Sequence, residues 1–499
     1  MLKNRTLFML LIFTLFCLPW ISAQDGKIDP ILAEAQLLVQ DRPLSETINL
    51  TLSDRARFRF YVPEDTIYFW LELANSPADL DIFIRQGVQP VDYNNADAYS
   101  VLRDYNEALF VSRFRDSTIP AGQYIADVVY QIGSLPLIEG VRRNEIPFSI
   151  NFRTVSSRVD APLDPGIPIT AELNPETGMF RTYTIDVPQH AKEMRIDIFD
   201  AYSDIDIFAR HGAQIIHRET ADYVRQSLLA NERMVLSRGS DPPLQTGRYF
   251  ITIVDQVTRH SPEEFSIVAN FSSEAPAFLQ REPEIPAPES PLHRAVLSTV
   301  EIISDAGRGS GCILTSRGLM VTNYHVVTRP SGRIDEEVEV GVATDLASPS
   351  EELFSATLVD SSEELDLALY RIDRGLYGNA LSEAYRFPWM ETAVEDGVTL
   401  GMPISLLGYP TIGGSGSKVS ITYTRGIVSG FERTDFGTII KTDGEINPGN
   451  SGGAALNDQY RLIGLPTSVI GEEAGQLGYI HPVHLFPDEW IRIIEEETR

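Results

Sequence analysis

Apolar and polar positions between residues 46 and 273 alternate with the two-residue period of strands. Leu80, Ile82 and Ile84 alternate with Asp81 and Phe83, and Tyr183, Ile185 and Val187 alternate with Thr184 and Asp186. Pro120-Ala121-Gly122 and Gln245-Thr246-Gly247 read as turns leading into closing strands. Short alternating strands with such punctuation predict antiparallel β-sandwiches. The pattern occurs twice. Val62-Pro63 recurs 125 residues later as Val187-Pro188, and the same offset links Asp79-Leu80-Asp81-Ile82-Phe83 to Asp204-Ile205-Asp206-Ile207-Phe208. It also links Gly122-Gln123-Tyr124 to Gly247-Arg248-Tyr249. Two homologous sandwiches are therefore expected, over 46–154 and 168–273.

Periodicity stops over 274–291, where Glu282-Pro283-Glu284-Ile285-Pro286-Ala287-Pro288-Glu289 predicts a semi-stiff, nickable linker. Short strands with Gly-rich turns resume over 292–499, a length that suits a double β-barrel. They end in a predicted helix, Pro487 to Thr498, with Asp488 and Glu489 at the positive end of its dipole. At the other end, Lys3 and Arg5 precede the apolar run Leu7 to Leu18, then Pro19 and the small-residue close Ile21-Ser22-Ala23. That is the pattern of a cleaved signal peptide, 1–23, followed by an N-terminal segment, 24–45. The run is shorter than the ~20 residues that span a bilayer, so no stable membrane insertion is expected after cleavage. The destination is periplasmic or extracellular.

Composition narrows the partners. A net charge of −29 repels nucleic acid and anionic lipid. Cys17 falls within the signal, leaving Cys312 alone and no intramolecular disulfide. Asp79/Asp81 and Asp204/Asp206 raise the question of calcium, which takes six to eight oxygens. Nothing nearby in sequence completes such a shell, so a solvated or hydrogen-bonded strand face is expected, and no metal. The sandwiches are left to bind a protein, a polymer or a surface ligand.

Three motifs in the last two hundred residues carry chemistry. They are Gly309-Ser310-Gly311-Cys312 with Thr322-Asn323-Tyr324-His325-Val326-Val327, then Leu365-Asp366-Leu367-Ala368-Leu369, then Asn447-Pro448-Gly449-Asn450-Ser451-Gly452-Gly453. A serine hydroxyl needs a base, and His325 has the right intrinsic pKa. Asp366 would fix the tautomer of His325. The N–H groups of Gly449 and Ser451 would bind the oxyanion. The order His, Asp, Ser is that of the chymotrypsin-like fold, not of subtilisins or α/β-hydrolases, which disfavours an esterase or lipase. No cofactor is needed. Protein or peptide substrates are expected; the alternative is a non-catalytic binding or adhesion protein working through its sandwiches.

These motifs resemble the HtrA/Deg branch of trypsin-like serine proteases, as do Arg425-Gly426-Ile427-Val428-Ser429-Gly430 and Gly478-Tyr479-Ile480-His481-Pro482. The resemblance implies His325 as general base, Asp366 as its orienter, Ser451 as nucleophile, and Gly449 with Ser451 as oxyanion hole. Two departures stand out. PDZ domains, usual after the protease in that branch, are not expected before Arg499, and Asn450 replaces the aspartate of zymogen-activated relatives, so activity without chain cleavage is expected. Glu445, six residues before the serine, is a candidate selector of Arg or Lys. The elements Asp-Leu-Asp-Ile-Phe, Ala-Gly-Gln-Tyr and Phe148-Ser149-Ile150 resemble bacterial pre-peptidase C-terminal domains. The expected fold class is mostly β: a chymotrypsin-like double β-barrel protease domain preceded by two such β-sandwiches.

Overall fold

The computed structural model describes residues 35–87, 91–101, 107–114, 119–130, 136–138, 141–174, 178–255, 262–393, 397–410, 420–470 and 477–498. The expected signal peptide lies outside them. The chain forms two compact units, the first within residues 35–154 and the second from Val155 onward, with 65–68 and 112–114 counted to the second.

The first unit holds a five-stranded sheet, in the order Gln36–Leu37, Arg55–Val62, Gly122–Val129, Asp81–Gln86, Ala98–Ser100. Its four-stranded sheet runs Leu44–Asn49, Glu145–Ser156, Thr66–Ala74, Ala108–Ser112. Phe58, Phe60 and Tyr124 of one sheet meet Phe69, Phe148 and Phe152 of the other in a shared core. Burial of each such side chain contributes about 1.5–3 kcal/mol. Leu44–Asn49 and Gln36–Leu37 place strands before the expected start at residue 46. Phe83, expected on the polar face, is buried in a second cluster with Ala35, Val91, Ile125 and Val129.

The second unit begins with a sandwich of the same strand order. The strands after the two Gly turns, Gly122–Val129 and Gly247–Asp255, do not close the sandwiches as expected, since Glu145–Ser156 and Glu263–Asn270 follow them. A tyrosine binds each turn: Tyr124 Oη donates to the Pro120 carbonyl at 2.6 Å, and Tyr249 Oη accepts from the Gln245 N–H at 2.9 Å. The glycine between has φ +137° at Gly122 and +120° at Gly247, values that disfavour a side chain.

Of the paired acids, Asp206 fits the hydrogen-bonded reading and is buried, whereas Asp79, Asp81 and Asp204 are half-buried. Asp206 and Glu232 are buried; Gln226 Nε2 donates to Asp206 at 2.7 Å and Arg225 pairs with Glu232 at 3.1 Å. In the first sandwich the Glu107 carboxylate joins those of Asp79 and Asp81, all three within 4.8 Å. Spacing along one strand does not reveal that third carboxylate, because sheet register supplies it.

The remainder of the second unit is two closed six-stranded barrels. The first runs Thr299–Ser304, Gly307–Ile313, Leu319–Thr322, Leu367–Gly375, Glu351–Ser362, Glu337–Val342. The second runs Pro403–Gly408, Thr422–Thr434, Gly437–Thr442, Leu477–Pro482, Leu462–Ile470, Ala454–Leu456. This is the chymotrypsin-like double barrel. Pro291–Ser298 forms a helix where only strands were expected: Ser290 caps it by accepting from the His293 N–H at 3.0 Å, and Pro291 fits its first turn. The C-terminal helix, Asp488–Thr498, buries Trp490, whose Nε1 donates to Asp360 at 2.8 Å.

The segment 274–291 is not a free tether. Tyr385 Oη donates to the Pro283 carbonyl at 2.7 Å, Asn379 Nδ2 to the Arg281 carbonyl at 3.2 Å, and Ile285 packs on the first barrel's core. The second sandwich is also bonded to that barrel. Buried Glu352 accepts from the N–H groups of Ala230 and Asn231 at 3.1 Å each, and Arg233 donates to the Leu376 carbonyl at 2.9 Å.

Candidate active site

His325 sits on a 3-10 turn, Tyr324–Val327, directly after the strand Leu319–Thr322. Asp366 immediately precedes the strand Leu367–Gly375, and these two strands are hydrogen-bonded neighbours. Asp366 has φ +51°, a conformation that a non-glycine residue holds only when its surroundings enforce it. Asn323 does so in part, donating from Nδ2 to the Asp366 carbonyl at 2.9 Å.

The Asp366 carboxylate gathers three donors. His325 Nδ1 lies 2.9 Å from both oxygens, the His325 backbone N–H donates to Oδ1 at 3.0 Å, and Thr467 Oγ1 donates to Oδ2 at 2.7 Å. Burial pushes the Asp366 pKa up, but the bonds from His325 and Thr467 outweigh it and hold the group below the ordinary carboxylate range. A carboxylate on Nδ1 sets the proton there and leaves Nε2 as the basic nitrogen.

Ser451 comes from the second barrel, in the turn before Ala454–Leu456. Its hydroxyl donates to the Thr467 carbonyl at 2.7 Å. One residue thus receives the serine with its carbonyl and serves the aspartate with its hydroxyl. Proton transfer to His325 requires the serine hydrogen to leave that carbonyl and turn toward Nε2. The turn itself is held by Asn450 N–H to the Asn447 carbonyl, Gly453 N–H to the Asn450 carbonyl, and Gly452 N–H to the Pro466 carbonyl, all at 3.0 Å. Gly449 has φ +95°. Glu445 is exposed, and its carboxylate accepts from Asn447 Nδ2 at 2.9 Å.

Thr467 carries no motif in the sequence; only its place on the strand Leu462–Ile470 brings it here. His481 belongs to the motif Gly478-Tyr479-Ile480-His481-Pro482, which gave it no role. It is 6 % exposed, stacks on Phe486, and its Nε2 has no hydrogen-bond partner among the described residues. Burial pushes its pKa down to about 4; Asp366 pulls it up and His484 pushes it further down. At His481 the unfolded chain therefore binds more protons between about pH 6.5 and 4, so this group's contribution to stability falls as the pH falls. Lowering the pH from 7 to 5 is expected to cost about 2 kcal/mol through this group. Denaturant unfolding at both pH values would show a pH dependence that differs by that amount between the wild type and His481→Phe, while the raised carboxyls of Asp204 and Glu339 act in the opposite direction in both proteins.

Residues 309–465 match the family model of the trypsin-like peptidase domain. Over 179 residues the chain is 30% identical to "Probable periplasmic serine endoprotease DegP-like" of Chlamydia trachomatis, covering 35% of this chain and 31% of that protein. It is 35% identical over 178 residues to "Serine protease HTRA4" of Mus musculus, covering 35% and 32% respectively. The chain thus spans about a third of the length of these relatives. The solved serine endoprotease from Yersinia pestis aligns at 25% identity and a TM-score of 0.32, over 43% of this chain and 70% of that one. The double barrel carries an HtrA-like, trypsin-like serine protease domain.

Proposed function

We propose that this chain is an exported serine endopeptidase that hydrolyses peptide bonds of extracytoplasmic proteins. One observation carries the reading: Thr467 ties Ser451 to Asp366, and Asp366 holds His325 by Nδ1. The matched relative's periplasmic name supports the compartment.

In this mechanism Ser451 Oγ attacks the scissile carbonyl carbon while its proton passes to His325 Nε2. Asp366 stabilises the imidazolium, and the N–H groups of Gly449 and Ser451 receive the oxyanion. Collapse breaks the C–N bond, with the proton delivered from Nε2 to the departing amine. Water then repeats the sequence on the acyl-enzyme and frees Ser451. A fluorophosphonate incubated with the full-length chain should leave one adduct, mapped by mass spectrometry to Ser451, and the chain should cleave an unfolded protein. The absence of both adduct and cleavage would refute the proposal.

Glu445 is proposed to favour Lys or Arg on the substrate. An exposed carboxylate offers at most about 1 kcal/mol, so Glu445→Ala is expected to lower cleavage after Lys relative to Val about fivefold. A peptide-library profile with the same ratio in both proteins would reject this role.

A further inference from the structure

We propose that Ser310 is a positioning residue for the oxyanion site, an inference that rests on the serine-protease reading. Ser310 lies on the first barrel's strand Gly307–Ile313 and is fully buried. It reaches across to the second barrel's nucleophile turn with both its backbone and its side chain. Its N–H donates to the Ser451 carbonyl at 2.9 Å, and its hydroxyl donates to the Gly449 carbonyl at 2.7 Å. The same hydroxyl accepts from the Tyr409 N–H at 2.9 Å. Tyr409 is itself buried, at the end of the second-barrel strand Pro403–Gly408, and its Oη donates to the Thr299 carbonyl at 3.3 Å. The hydroxyl therefore bonds as donor and acceptor in one fixed direction.

That direction bears on catalysis. The two oxyanion donors are the N–H groups of Gly449 and Ser451, and Ser310 holds the carbonyl of each of those same residues. Gly449, at φ +95° and without a side chain, is the freer of the two. Turning the peptide that follows Gly449 would take its carbonyl off Ser310 and leave a buried hydroxyl without an acceptor, which is costly. The Asn450 side chain between the donors does not supply this restraint through its oxygen: Asn450 Oδ1 is buried with no hydrogen-bond partner among the described residues. Space at the contact is tight as well. A Cβ on Gly408 would lie 2.8 Å from Asn450 Oδ1 and 3.2 Å from Ser310 Oγ. Ser310 thus holds the donors ready in the resting chain, without a newly cut N-terminus.

The test compares the full-length wild type with Ser310→Ala, which keeps the backbone N–H and loses only the hydroxyl. Preorganised donors act on the transition state and hardly on the bound substrate. kcat is therefore expected to fall about 10- to 100-fold with KM within about twofold, given that outright loss of a donor costs about 10²–10³. Affinity for a peptidyl boronic acid, which presents a tetrahedral oxyanion, should fall by the same factor, while that for the product peptide stays unchanged. Unchanged kcat and boronate affinity would overturn the proposal. So would an equal weakening of substrate, product and boronate. Should Ser310→Ala not fold, Ser310→Cys decides: reduced kcat at unchanged KM supports the role, and wild-type kcat refutes it. A wild type that takes up no fluorophosphonate would instead remove the catalytic reading on which this one stands.

Discussion

Ser451→Ala and His325→Ala are each expected to lower kcat about 10⁶-fold, and the double variant no further. The non-additivity follows from the mechanism: a hydroxyl without its base is a poor nucleophile, and a base without the hydroxyl has nothing to activate, so the first loss forfeits the whole benefit. A residual rate about 10³–10⁴-fold above that in water should persist, because the donors at Gly449 and the backbone of residue 451 survive both substitutions. Single-turnover kinetics on a fluorogenic peptide would measure it, with unfolding midpoints recorded in parallel. Losses that multiply in the double variant would mean that Ser451 and His325 do not act as one unit.

Gly452→Ala is expected to destabilise the second unit by more than about 4 kcal/mol. Gly452 has φ +80°, and a Cβ there would run into the Ser310 carbonyl and Thr322 Oγ1 and come within 3.0 Å of the Asn323 N. Two of these three atoms are first-barrel backbone, one on the strand Gly307–Ile313 and one just before the turn that carries the histidine, so relief would require the barrels to part. Gly166 provides the control. Its φ is +76°, yet nothing lies within 4 Å of the position a Cβ would take, so Gly166→Ala meets the backbone penalty alone, about 1–2 kcal/mol. Urea unfolding of the two variants separates conformational strain from collision. Equal losses would show that the packing of the nucleophile turn against the first barrel contributes little.

Much of the proposed site was legible in the chain because the acyl transfer proposed for it restricts its residue types. A nucleophile, a base and a carboxylate had to be present, and their order already named the fold. The strand period likewise placed Tyr183, Ile185 and Val187 in a core, where they are buried. Phe83 escaped the pattern because Ala35 and Val91 cover it locally on the sheet's outer side, which removes the polar surroundings that alternation depends on. The helix Pro291–Ser298 was overlooked although Ser290-Pro291 is a start signal, since its eight residues are too few for periodicity to speak.

The sequence by itself determined the repeated sandwich pattern, the serine, histidine and aspartate, and the glycines their turn demands. Those features are local: each depends on a residue's own chemistry or on neighbours a few positions away. The tertiary structure alone decided that Thr467 joins Ser451 to Asp366, that Ser310 holds the carbonyls of Gly449 and Ser451, and that Glu107 meets Asp79 and Asp81. It also decided that 274–291 lies on the barrel rather than hanging free. These contacts join groups far apart in the chain, several of them backbone atoms that every residue possesses. Strand register and barrel closure place them, and no side-chain pattern announces a carbonyl.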